Sequence, residues 1–400
     1  MPAVPSRRID AAFGQCPPAA VPTEAAHAGM RADGRLGVRY VLTLARGEDA
    51  ARKAALIGLE QTVELPAALV DAALAERMAG RVETVQPLGA RRALAVVSYS
   101  PDAIGGDLPQ CLNLLFGNVS LKPGIRIVDI DWPAGLLKGL GGPGHGIAGL
   151  RALTGVRGRA LLGTALKPMG LSAAELAQRA DAFARGGIDI IKDDHGLSDQ
   201  LAAPFAERVA RCQEAVGRAN ASAGTRALYF PNVTAPAAQL PGRLELARAA
   251  GCRGVLISPW LVGLDTLRLI RDDYGLAVLA HPALTGSLFG RSAGMSPELV
   301  LGDLFRLAGA DAVIYPNAGG RFDFSAGVCA RINQHLRRPL GGLRASLPTP
   351  AGGMNVASAG HWARRYGPDT LLLIGGSLYA TGDLSAGAAA LRRAVEDATP

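Results

Sequence analysis

Four consecutive ionisable residues, Lys192, Asp193, Asp194 and His195, follow an apolar run in GGIDIIKDDHGLSDQ (186–200). Charges at the end of a buried strand must be paired, or must hold a metal, to offset their desolvation. A second lysine, Lys167, ends the preceding run in LLGTALKPMG. Asp194, with His195 or Asp193, could bind a divalent cation. Carboxylates favour Mg2+, whereas an imidazole shifts the preference toward Zn, Mn or Fe. The metal-free alternative is a buried Lys192–Asp193 ion pair. Lys167 beside another cation could act as a base or clamp a phosphate or enolate oxygen. His281, closing LAVLAH (276–281), is a general base or a core histidine bonded to backbone. His27, His335 and His361 read as surface residues. Gly352 with Gly353, and Gly375 with Gly376 and Ser377, end two later runs. Glycine pairs let backbone N–H groups approach an anion, so both loops are candidate phosphate binders.

The elements that must carry these residues follow a regular alternation. Eight short aliphatic runs (160–166, 188–192, 227–232, 254–258, 276–281, 311–316, 343–348 and 370–376) are each followed by an amphipathic stretch. Eight βα units in about 240 residues predict a (β/α)8 barrel, which gathers its functional side chains at the carboxyl ends of the strands. Ser172 followed by Glu175 predicts a capping box on the first barrel helix. The earlier part reads as an α+β domain of ferredoxin-like character. It has strands at 37–45 and 125–132, a hairpin over 81–99, and helices over 48–63 and 108–116. The expected division is a flexible tail at 1–30, the α+β domain with its linker at 31–150, and the barrel as catalytic domain at 151–400.

Of 400 residues, 49% are hydrophobic and 19% charged, which excludes a disordered chain and fits an α/β enzyme. The net charge of +8 is spread without a basic block. That pattern argues against nucleic acid and for small anionic substrates. No apolar run is long enough to span a bilayer, so no membrane partner is expected. Five scattered cysteines without a CxxC pair suggest reduced thiols and a cytoplasmic setting. Only five of the 42 Lys and Arg residues are lysine. Lysine chemistry is unavailable to arginine, which draws further attention to Lys167 and Lys192.

GGPGHGIAGLRALTGVRGRALLGTALKPMGLS, GGIDIIKDDH, LAHPALTG, the GGRF loop, TPAGGM, LLIGGS and FGNVSL (116–121) resemble, in order, the large subunit of ribulose-bisphosphate carboxylase (RuBisCO). The resemblance implies a head-to-tail homodimer with its site at the subunit interface. It also implies Mg2+, or another divalent metal, held by a carbamylated Lys192 with Asp194. Lys167 matches the strand-1 catalytic lysine, His281 a strand-5 histidine, and the four loop glycines phosphate positions. Asn118 matches a residue that reaches the neighbouring subunit's site, and Glu60 a glutamate there.

Departures from the pattern are as informative. His195 stands in place of a metal-binding acid, and Met169 in place of a second lysine. Pro282 and Thr285 stand where an arginine and a histidine would be, and Ile314 replaces another histidine. Arg321 replaces the mobile-loop lysine, and Ala351 a serine. The pattern implies a RuBisCO-like enzyme that does not fix CO2. The expected reaction is metal-assisted enolisation with decarboxylation or carboxyl cleavage of a phosphorylated 3-oxo sugar acid, of the apionate-catabolism type. The alternatives are a methionine-salvage enolase or isomerase of a methylthio-sugar phosphate, and a non-catalytic phosphate-ligand-binding or regulatory protein.

Overall fold

A computed structural model describes residues 34–399. The tail expected at 1–30, with Cys16 and His27, lies outside the described residues. The remaining cysteines, Cys111, Cys212, Cys252 and Cys329, are buried and unbridged.

The first sheet is formed by β1 (Leu36–Thr43), β2 (Arg81–Gly89), β3 (Arg92–Tyr99) and β4 (Ile125–Asp131), in the order β4-β1-β3-β2. All three pairings are antiparallel. Helices Ala50–Glu60 and Leu108–Phe116 occupy the two crossovers, completing a βαββαβ, ferredoxin-like arrangement. Leu36, Val38, Tyr40 and Leu42, at alternate positions of β1, share a core with Ile57 and Leu114.

The second sheet contains β5 (Leu161–Leu166), β6 (Ile190–Asp193), β7 (Leu228–Phe230), β8 (Gly254–Ile257), β9 (Ala277–Ala280), β11 (Ala312–Pro316), β12 (Leu347–Ala351) and β13 (Leu371–Leu373). Its neighbours follow chain order, all parallel, with β13 returning to β5. The ring closes where Asn232 bridges Leu256, joining the end of β7 to β8. This is the expected barrel. Its interior is a layered apolar cluster that includes Leu161, Ile190, Phe230, Leu256, Leu279 and Ile314. Helix Gly146–Thr154 stops the amino end of the barrel with Leu150, flanked by Ile147 and Leu153. Asp311 holds that plug by accepting from the backbone N–H groups of His145, Gly146 and Val278 at 2.6, 2.6 and 2.8 Å. The capping box of Ser172 and Glu175 is formed.

Three features differ from the sequence expectation. The seventh barrel strand lies at Leu347–Ala351 rather than 343–348, because Pro348 and Pro350 disguise it. It pairs over five positions with β11 but at only one with β13, so the missing proline donors fall where few ladder bonds form. A short strand, β10 (Gly294–Met295), leaves the barrel and pairs in parallel with β4 of the first sheet. His335 is not a surface residue. Its Nδ1 lies 3.1 Å from the buried Asp303, which also receives Arg338 at 2.6 Å and the Trp132 indole at 3.1 Å.

Candidate active site

Strand alternation decides which charges of the KDDH segment enter the barrel. Ile190 points inward, so Lys192 and Asp194 do too, whereas Ile191 and Asp193 point to the helix layer. The ladder pairs Ala165 with Lys192. Two residues further along, the same register places Lys167 beside Asp194. Lys167 Nζ lies 2.8 Å from Asp194 Oδ2.

Asp193 is committed elsewhere. Its carboxylate takes Arg208 Nε at 3.1 Å, the Tyr229 hydroxyl at 2.7 Å and the Asn232 N–H at 3.0 Å. The Lys192–Asp193 ion pair of the metal-free alternative is therefore not formed, because the two side chains face opposite sides of the strand. Lys192 Nζ instead donates to the Asp193 carbonyl at 3.0 Å and is buried. Burial, with a smaller contribution from Lys167, lowers its pKa to about 8, against the attraction of Asp194. Asp194 is half-buried, which alone would raise its pKa. His195, Lys167 and Lys192 outweigh that burial and hold the carboxyl well below the usual range.

His195 is half exposed, with Nδ1 3.4 Å from Asp194 Oδ1. Its ring stacks on His281, with centroids 4.3 Å apart and planes 11° apart. Burial, Lys192 and His195 push the His281 pKa well below the ordinary value, so the ring is neutral at pH 7. Its Nδ1 accepts the Ala283 N–H at 3.2 Å, which leaves the ring proton on Nε2.

Three further residues position these groups, of which Asn232 is expected from sequence at the end of the third barrel strand. The Tyr379 hydroxyl accepts the Lys167 N–H and donates to the Ala165 carbonyl, both at 2.8 Å. Arg179 donates to the Lys167 carbonyl and lies over the Tyr379 ring. Asn232 Nδ2 donates to the carbonyls of His195 at 3.0 Å and Leu197 at 2.8 Å, fixing the turn after Asp194. Asn232 could be placed at a strand end by sequence; nothing in the sequence marks Tyr379 or Arg179.

One glycine loop lies toward Lys167: a Cβ added to Gly375 would meet Lys167 Cε at 3.8 Å. Gly352 and Gly353 have φ of +88° and +69°, the left-handed region that glycine enters without strain. A Cβ on Gly353 would meet Cα and N of Gly320 at 2.8 Å, so this loop packs on the one after β11. Among the described residues, the N–H groups of Gly352, Gly353, Gly375 and Gly376 donate no hydrogen bond. The Ser377 hydroxyl is used structurally, donating to the Met354 carbonyl at 2.9 Å.

Arg321 and Met169 are exposed on their loops; Arg321 stacks on Phe322, and Met169 receives the Gln200 amide. Asn118 and Glu60 form a separate cluster. Asn118 Nδ2 donates to Glu60 at 3.3 Å, and Lys122 Nζ lies 2.7 Å from the same carboxylate. Among the described residues, neither makes a hydrogen bond or ion pair with the barrel cluster.

The family model for the ribulose bisphosphate carboxylase large chain, catalytic domain, matches residues 146–399. The chain is similar to the 5-methylthioribulose-1-phosphate isomerase of Rhodospirillum rubrum, at 42% identity over 80% of this chain and 86% of the relative. It is 31% identical to the 2,3-diketo-5-methylthiopentyl-1-phosphate enolase of Geobacillus kaustophilus, over 77% and 76% of the two chains. The crystal structure of a RuBisCO-like protein from Rhodopseudomonas palustris superposes with a TM-score of 0.82 at 40% identity, covering 91% of this chain and 98% of that one. By sequence and fold together, the chain belongs to the RuBisCO large-chain family, among its RuBisCO-like, non-carboxylating enzymes.

Proposed function

We propose that the protein enolises a phosphorylated keto sugar with the help of a divalent metal, as an isomerase or enolase. One observation carries this reading: two lysines, Lys167 and Lys192, converge on the inward carboxylate of Asp194 at the strand ends from which the glycine loops leave. Mg2+ or another divalent ion fits these donors. Lys192 is a buried amine that, among the described residues, has no carboxylate hydrogen-bonded to it, and its low pKa makes the neutral, CO2-reactive form accessible near pH 8. As a carbamate it would supply oxygen ligands alongside Asp194. Once bound, such an ion stabilises negative charge on the substrate oxygens.

The chain's own residues do the rest. The N–H groups of Gly352, Gly353, Gly375 and Gly376 hold the phosphate. Lys167, released from Asp194 when that carboxylate is engaged, moves the proton or balances the enolate charge. His281, neutral with Nε2 protonated, donates a hydrogen bond to a developing oxyanion. Asn118 and Glu60 of a second copy would complete the site in a homodimer, since neither touches the barrel cluster of its own chain.

The relatives favour an isomerase or enolase of a methylthio-sugar phosphate over decarboxylation of a 3-oxo sugar-acid phosphate of the apionate type. Nothing in the comparisons supports a non-catalytic binding protein. The deciding experiment is solvent-deuterium exchange into 5-methylthioribulose 1-phosphate, its 2,3-diketo analogue and 3-oxo sugar-acid phosphates, with product identification by NMR. Exchange with isomerised or enolised product supports the reading. Carbon dioxide release from a sugar acid would move it to the decarboxylase, and no exchange with any substrate would sink it.

A further inference from the structure

We propose that His195 is a nitrogen ligand of the metal in this site, which makes the centre selective for a borderline ion such as Zn2+ or Co2+ over Mg2+. The inference rests on the metal-dependent reading above and concerns which ion this chain is built to hold.

The argument starts from the oxygen donors that remain. Of the two acids after Lys192, Asp193 points away and is saturated by Arg208, Tyr229 and Asn232. Asp194 alone faces the interior, and its Oδ2 is already beside Lys167. Among the described residues, no three His, Cys, Asp or Glu side chains form a complete metal set. The set therefore needs Lys192 as a carbamate, and with Asp194 that gives two ligand groups. A compact third donor is missing, and His195 is the side chain beside the free oxygen of Asp194.

Its position puts a ring nitrogen beside the carboxylate: His195 Nδ1 stands 3.4 Å from Asp194 Oδ1, a long contact for an N–H···O bond and close enough for one small ion to be held by both groups. The ring is also held in place. Asn232 fixes the His195 carbonyl at 3.0 Å, and the imidazole lies flat on His281 with an 11° tilt. His281 offers a ring face to that stack, anchored where its Nδ1 accepts the Ala283 N–H at 3.2 Å. An imidazole among oxygen donors shifts preference from Mg2+ toward the borderline metals.

The test uses the full-length protein with bicarbonate present. Mn2+ serves as a paramagnetic probe, and pulsed EPR reads coupling to a directly bound imidazole 14N. We expect that coupling in the wild type and in His281→Phe, and its loss in His195→Glu. Equilibrium dialysis with Mg2+ and Co2+ should show His195→Glu moving the ratio of the two dissociation constants toward Mg2+ by about tenfold or more. Bound Mn2+ without nitrogen coupling in the wild type overturns the proposal while leaving the enolisation reading standing. So does coupling that survives in His195→Glu, or an unchanged metal ratio. Failure of the wild type to bind any of these ions overturns both. The wild-type spectrum decides by itself, whatever the variants do.

Discussion

Lys192 is the residue at which burial and chemistry meet. In metal-free, CO2-free protein, its ammonium is buried at a cost that appears as a pKa of about 8 instead of 10.5. Below pH 8 both folded and unfolded chains hold the proton, so the whole penalty is present. Between about 8 and 10.5 the unfolded chain binds more protons, so stability rises with pH. Lys192→Met should therefore stabilise the apoprotein at pH 7, by up to about 3 kcal/mol. The gain should shrink as the pH approaches 10, which thermal melts across that range would show. The same substitution should abolish bicarbonate-dependent metal uptake and turnover. Tyr379→Phe keeps the ring against Phe183 but removes the hydroxyl's bonds to the Lys167 N–H and the Ala165 carbonyl. It should lower kcat about tenfold while changing KM little, as expected for a group that orients a catalytic side chain. A rise in KM at constant kcat would instead assign Tyr379 to substrate binding.

At the scale of elements, β6 sorts its own charges, and breaking that sorting should be expensive. Arg208→Met leaves Asp193 buried without its cation and should destabilise the fold by about 3–5 kcal/mol, measured by denaturant unfolding. The glycine loops offer a sharper test. Gly353→Ala puts a methyl group into Gly320 and forces a side chain to φ +69°. It should raise KM for a phosphorylated substrate about tenfold or more and weaken inorganic phosphate as a competitive inhibitor in parallel. Equal inhibition in variant and wild type would remove the loop from the phosphate site. Much of this scale was legible in the sequence. Alternation and capping residues located eight βα units, and strand ends located Lys167, Lys192, Asp194 and His281. Pro348 and Pro350 hid β12, because strand patterns rest on ladder donors that proline lacks. The orientation of Asp193 was readable from period-2 alternation. Its engagement with Arg208 and Tyr229 was not, since those partners lie 15 and 36 residues away along the chain.

For the whole molecule, Glu60, at the end of helix Ala50–Glu60, and Asn118, just after helix Leu108–Phe116, are grouped with Lys122 and make no hydrogen bond or ion pair with the barrel charges among the described residues. A homodimer with shared sites makes a quantitative prediction. Lys192→Ala and Asn118→Ala proteins, each inactive alone, should recover about a quarter of wild-type activity after mixed refolding, because half the chains form hybrids and each hybrid carries one intact site. No recovery, with hybrid formation verified by native mass spectrometry, would confine the site to one chain. No helix among the described residues is long and apolar enough to cross a membrane.

β10 has a consequence for how such a protein can be recombined. Gly294–Met295 belongs to the barrel by sequence but to the first sheet by hydrogen bonding, and a Cβ on Gly294 would lie 2.0 Å from the Leu288 carbonyl. A chimera spliced between the two sheets would keep both covalent halves, yet its β4 would meet a foreign strand in place of the native one. Modular exchange with a relative should therefore succeed only when the 285–296 excursion travels with the amino-terminal half, as a third crossover that gene boundaries alone would not suggest.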